Sequence, residues 1–152
     1  MTTLWRLARR IHAAKQTLAR GAQLTGGRWN PPGLPVVYAG STIALVALEY
    51  FVHLSGDEPA DLVLLRIQVP DGASVETIVP ADLPERWHAD LAVTQRRGRE
   101  WTESRRTLVL GVPSAIVPEE SNALVNPAHP KWKDVEMRVL RAFHYDRRMY
   151  KS

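Results

Sequence analysis

Gly26-Gly27-Arg28-Trp29-Asn30-Pro31-Pro32-Gly33 is followed within a few residues by Val36-Val37-Tyr38-Ala39, and then by Ile43-Ala44-Leu45-Val46-Ala47-Leu48-Glu49-Tyr50-Phe51-Val52. Three glycines and two prolines in the first eight of these residues cannot continue a helix or a central strand, so they form a loop. The Val36–Ala39 run reads as a short buried strand. Gly40-Ser41-Thr42 then turns the chain and sets a hydroxyl to cap a helix from Ile43 to about Leu54, ended near Gly56.

Outward from this unit, the chain reads as short strands punctuated by proline and glycine. Leu62 to Val69 is a strand with Arg66 and Gln68 on a wet face, and Val75 to Val79 is a weaker one. Asp90 to Glu103 is helical, although Gly98 costs it about 1 kcal/mol relative to alanine. Thr107–Val112, Ala115–Val117 and Asn122–Asn126 read as further strands, broken by Pro113, Pro118 and Pro127. The tail from Lys133 to Phe143 fits helix or strand equally. Strands outnumber helices without regular alternation, which predicts an α+β domain with mixed or antiparallel sheets and peripheral helices.

At 152 residues the chain is expected to form a single domain spanning 1–152, large enough to bury a core without staples. Apolar residues at 45% and charged residues at 24% exclude disorder and fibrous repeats. There is no cysteine, which excludes disulfides, thiolate zinc sites and a cysteine nucleophile and suits a cytoplasmic location. Leu34 to Leu54 is apolar, but Pro35, Gly40, Glu49 and His53 interrupt it, so no membrane span is expected. The N-terminal segment, with Arg6, Arg9 and Arg10 among Leu4, Trp5, Leu7 and Ile11, lacks the apolar core and cleavage site of a signal peptide.

Glu49 is the only charge in its helix, and a helix apolar on nearly all sides is usually buried. It is either half of a solvent-facing i, i+4 pair with His53 or a carboxylate at the wall of a ligand cleft. Arg28, inside the glycine- and proline-rich loop, is either part of a surface turn or a planar fork of donors for phosphate oxygens. Tyr38 is either a core aromatic or a ring that stacks on a ligand while its hydroxyl meets water. Ser121 and Asn126 bracket a strand that runs into a proline-rich turn. The loop matches neither G-x-x-x-x-G-K-[ST] nor G-x-G-x-x-G, no G-x-S-x-G elbow occurs, and the five histidines lack ligand spacing, so no metal site is expected. The net charge of +4 and the arginines at 96, 97, 99, 105 and 106 admit a competing reading as a basic nucleic-acid-binding module. Glu100 and Glu103 within that cluster favour a solvated helical face instead.

In order and spacing, these pieces resemble the RES domain family of bacterial toxins, named for an arginine, a glutamate and a serine. The matching stretches are Gly26–Gly33, Val36–Ala39, Ala47-Leu48-Glu49, Gly98–Trp101, Val112-Pro113-Ser114-Ala115, Ser121, Asn126-Pro127-Ala128-His129-Pro130 and Tyr145-Asp146-Arg147-Arg148. Arg99 departs from the pattern, which commonly has an acid after the glycine. The resemblance implies an ADP-ribosyltransferase-like fold that consumes NAD as substrate, with no cofactor beyond it. It assigns catalysis to Arg28 and Glu49, and substrate binding to Arg28, Tyr38, Ser121 and Asn126. It further implies a cognate Xre-type antitoxin that blocks the cleft, contact with DNA only through that antitoxin, and a homodimer within the complex. NAD depletion by hydrolysis or phosphorolysis is the expected outcome, with ADP-ribosyl transfer to a specific protein as the alternative.

Overall fold

The computed structural model describes residues 1–54, 56 and 58–150. Its sheet is built from seven strands: β1 (Thr2–Arg9), β2 (Val37–Gly40), β3 (Leu62–Val69), β4 (Val75–Thr77), β5 (Val109–Pro113), β6 (Ser121–Val125) and β7 (Glu136–Ala142). Their spatial order is β4-β5-β6-β2-β1-β3-β7, and every neighbouring pair is antiparallel except β4 and β5. Helices α1 (Arg20–Thr25), α2 (Ile43–Val52) and α3 (Leu91–Ser104) flank the sheet, as the α+β reading expects. No helix among the described residues is long and apolar enough to cross a membrane.

The period of two along each strand sorts the core into two faces. Leu4, Val37, Val63, Leu65, Ile67, Val109 and Val125 point to one face and form a single cluster with Leu18 and Val135. On the other face the core is split. One cluster gathers Trp29, Trp87, Trp101, Leu110, Val112 and Leu124, and the other gathers Leu7, Val46, Leu62, Leu64 and Tyr145. The first lies under α3, the second under α2, and the space between them is the cleft described below.

Capping residues place both helices. Thr42 Oγ1 accepts from the Leu45 amide at 3.1 Å, and Asp90 Oδ1 accepts from the Val93 amide at 3.3 Å. Tyr145 ties α2 to the C-terminal segment, its hydroxyl donating to the Ala47 carbonyl at 2.5 Å and its ring packing against Phe51. Gly98 also finds its reason here: a Cβ at that position would lie 1.6 Å from the carbonyl oxygen of Trp29. The helix accepts its weakest former so that the glycine-rich loop can press against it.

One expectation is corrected, and two open segments are resolved. The N-terminal segment is a central strand, hidden in the sequence because arginines interrupt a run that is buried on both faces. Ala115–Val117 is no strand, because Ser114 Oγ accepts from the amides of Ile116 and Val117, both at 3.1 Å, and curls the segment into a turn. The ambiguous tail is β7, fixed by pairing with β3 from Val63 to Gln68.

Candidate active site

A cleft of about 670 Å³ opens between the two halves of the split core. Its walls include Gly26, Gly27 and Arg28 from the loop, Tyr38 from β2, Glu49 and Tyr50 from α2, and Gln95 from α3. Arg6 and Asn122 also line it. The volume is in the range of small-molecule sites.

The loop is held from two sides. From α3, Thr94 Oγ1 donates to the Arg28 carbonyl at 2.6 Å and Gln95 Nε2 to the Gly27 carbonyl at 2.8 Å. From within, the fully buried Asn30 donates to the carbonyls of Ala22 and Leu34 at 2.8 and 2.9 Å. The Tyr38 hydroxyl donates to Asn30 Oδ1 at 2.6 Å and accepts from the Trp29 amide at 2.9 Å. Close approach of that hydroxyl explains Gly27, where a Cβ would stand 2.7 Å from it. These bonds fix the backbone on both sides of Arg28. The Arg28 side chain donates from Nη1 to the His88 carbonyl at 2.8 Å and lies 6.0 Å from the Trp87 ring.

Tyr38 therefore lines the cleft with its ring, but its hydroxyl meets the loop rather than water. Burial pushes this phenol up to about 12 from the usual 10.0. Because the folded value lies above the unfolded one, Tyr38 contributes stability that is present below pH 10 and lost as pH rises towards 12. Thermal melts of wild type and Tyr38→Phe are expected to converge over that window, and parallel curves would contradict this role.

Glu49 is half-buried and is no member of a surface pair with His53: Ser114 Oγ donates to Glu49 Oε1 at 2.5 Å and Asn122 Nδ2 to the same oxygen at 2.9 Å. Ser114 is fully buried and its Oγ already accepts two backbone amides, so its own hydrogen is free for the carboxylate. Both donors fall on Oε1, and Oε2 accepts no hydrogen bond from the described residues.

The cleft thus unites Arg28, Tyr38 and Glu49 and leaves out Ser121 and Asn126. Ser121 is exposed on β6 and borders a separate shallow hollow with Ile78, Pro80 and Glu119. A strand presents successive side chains to opposite faces, so the residue that reaches Glu49 is its neighbour Asn122. Asn126 is fully buried away from the cleft, where Nδ2 donates to the Thr102 carbonyl and Oδ1 accepts from the Ala128 amide, each at 2.9 Å. It pins a turn to the end of α3. The serine beside the carboxylate is Ser114; its place in Val112-Pro113-Ser114-Ala115, just after an apolar strand, was the sequence signal for it.

The arginine cluster is dispersed by the fold. Arg106 forks onto Glu76 at 2.6 and 2.8 Å, Arg99 faces Glu103 at 3.9 Å, and Arg97 donates to the Asp82 carbonyl at 3.2 Å.

The site is thus a loop clamped to a helix, a carboxylate pinned by a serine and an asparagine, and an arginine lining the same hollow, and the comparisons of the whole chain assign it to the RES domain family. The family's profile matches residues 3–147, and the chain belongs to the RES domain family. It is 46% identical over 158 residues to a protein of a Sphingobium species named Prs ADP-ribosylating toxin, covering 99% of this chain and 98% of that one. It is 35% identical to Toxin Res of Yersinia enterocolitica, over 86% of this chain and 87% of that one. The corresponding figures for Toxin Res of Pseudomonas putida are 37%, 90% and 92%. A chain of the crystal structure of the M. tuberculosis MbcT–MbcA toxin–antitoxin complex shares the fold, with a TM-score of 0.68 at 19% identity, covering 90% of this chain and 80% of that one.

Proposed function

We propose that this chain is the toxin of a toxin–antitoxin pair and that its cleft breaks the nicotinamide–ribose bond of NAD, passing the ADP-ribosyl group to a protein side chain. The observation that carries the reading is the Glu49 carboxylate, held by Ser114 and Asn122 in the cleft that also contains Arg28. Nicotinamide leaves as a neutral molecule from a ring that is already cationic, so the reaction needs no general acid. What develops in the transition state is positive charge on the ribose, unlike the paired-carboxylate demand of O-glycoside hydrolysis. A preorganised carboxylate stabilises that charge and accepts hydrogen bonds from ribose hydroxyls. Arg28 engages the diphosphate or its adjoining ribose, and the Tyr38 ring packs on the nicotinamide.

Bond breaking is common to hydrolysis, phosphorolysis and transfer, which differ in what attacks the anomeric carbon. A protein acceptor is supported by the name of the Sphingobium relative, which matches this chain over nearly its whole length. Apolar Val52, Leu91 and Ile116 are exposed where they line the cleft, a surface suited to a protein that covers its mouth, whether acceptor or antitoxin. An Xre-type antitoxin that blocks the cleft, and a cytoplasmic setting in which NAD is plentiful, complete the reading. Incubating the antitoxin-free protein with NAD labelled in its adenylate, with cell extract and with or without phosphate, tests it. Released nicotinamide and label joined covalently to a protein are expected. Release with only free ADP-ribose or its phosphate ester moves the acceptor to water or phosphate, and no release under any condition overturns the proposal.

The serine assignment carries its own prediction. Ser114→Ala removes a hydrogen bond to a charged group, worth about 1.5–3 kcal/mol, and is expected to slow nicotinamide release by about 10- to 100-fold. Ser121→Ala is expected to leave the rate unchanged, and the opposite ranking of the two variants would contradict the geometry.

A further inference from the structure

We propose that Tyr145 is a positioning residue for the Glu49 carboxylate, bracing α2 from the C-terminal segment; this rests on the NAD reading above. Helix α2 is thinly anchored where its charge sits. Its buried residues are Leu45 and Val46, both ahead of Glu49. Beyond Glu49, the half-buried Tyr50 and Phe51 join a cluster with Leu7, Leu62, Leu64 and Tyr145. The chain that follows β7 therefore supplies a wall for this half of the helix.

That wall is fastened to the sheet. The Phe143 amide donates to the Leu62 carbonyl, at the first residue of β3, at 3.0 Å. The Tyr145 amide then donates to Glu58 Oε1 at 2.7 Å, and its hydroxyl to the Ala47 carbonyl at 2.5 Å, two residues ahead of Glu49. Its ring centroid lies 5.5 Å from that of Phe51 and 5.1 Å from that of Phe143. Burial raises the phenol, so the hydroxyl stays a donor across the working pH range. The rest of Tyr145-Asp146-Arg147-Arg148 serves the same contact. Asp146 Oδ1 accepts from the Arg148 amide at 2.9 Å, and the Arg148 guanidinium forks onto the carboxylate at 2.9 and 2.8 Å. The turn so closed brings Tyr150 back onto Phe51, with ring centroids 5.8 Å apart. A phenylalanine would fill this space as well as a tyrosine. What the oxygen adds is a fixed point on the helix backbone beside the carboxylate, and small displacements of a catalytic group are costly in rate.

Full-length Tyr145→Phe keeps the ring and removes the bond. It is expected to lower kcat for nicotinamide release by about 3- to 10-fold, the scale of one neutral hydrogen bond, with the KM for NAD and the calorimetric Kd for ADP-ribose unmoved. In a Glu49→Gln background the same change is expected to make no further difference, because Tyr145 works through the carboxylate. Tyr150→Phe is the control: its buried hydroxyl has no partner among the described residues, and wild-type kcat is expected. A merely structural role predicts otherwise, either a lowered Tm with kcat unmoved or the same loss of kcat with and without the carboxylate, and either result overturns the proposal. If Tyr145→Phe does not fold, Phe51→Leu decides, since it loosens the same contact from the helix side. Lowered kcat with unmoved Kd then supports the proposal, and wild-type kcat overturns it. Wild-type protein that releases no nicotinamide overturns the NAD reading and this proposal with it, whereas a wild type active on NAD and indifferent to Tyr145→Phe overturns this proposal alone.

Discussion

Glu49→Gln is expected to slow nicotinamide release from NAD by about 100- to 1,000-fold, the usual effect of losing one electrostatic contact made in the transition state. The substitution keeps the shape of the side chain, and Oε1 still accepts from Ser114 and Asn122. Only the charge is lost, so the variant should melt close to wild type and bind ADP-ribose comparably. The effect therefore falls on kcat rather than on KM, since the carboxylate acts on charge that develops during bond breaking. A variant that folds normally and keeps the wild-type rate would remove Glu49 from the chemistry. Ser114→Ala and Glu49→Gln combined should cost less than the product of their separate effects, because the serine works through the carboxylate.

Gly98→Ala is the second large effect. In an exposed helix this change gains about 1 kcal/mol. Here the new Cβ would stand 1.6 Å from the Trp29 carbonyl oxygen and 2.7 Å from its carbon, and backbone atoms cannot rotate aside. Overpacking of this kind costs about 1–3 kcal/mol, which lowers the Tm of a chain this size by several degrees. The loop must also move away from α3, taking Arg28 with it, because Trp29 follows Arg28 directly and Thr94 and Gln95 grip the two residues before Trp29. A displacement near 1 Å costs about 100-fold in rate. Gly21→Ala in α1, where a Cβ would meet nothing within 4 Å, is the control expected to fold and react normally. Wild-type Tm and activity for Gly98→Ala would contradict the clamp.

The parts of this structure that were legible in the sequence are those set by local chemistry. Proline and glycine marked the loop, Thr42 and Asp90 marked helix starts, and the partly alternating apolar run from Leu62 to Val69 marked a strand with the same bounds in the structure. Elements stabilised from a distance were not legible. β1 carries two arginines, and only its place between β2 and β3 reveals it as central. The same holds within the site. A lone acid in an apolar helix and an arginine in a rigid loop advertise themselves, and they share a cleft. Asn122 and Ser114 do not, because a one-residue step along a strand exchanges the faces, and Ser114, lying between two expected strands, gains its place only from the turn it curls. Gly98 looked like a defect in a helix until the loop it accommodates was in place.

A crystal structure of Glu49→Gln soaked with NAD tests the central claim most directly. The account predicts the intact dinucleotide in the 670 Å³ cleft, with its ribose hydroxyls at residue 49 and its diphosphate at Arg28. NAD bound on another surface, or an empty cleft at saturating NAD, would contradict it.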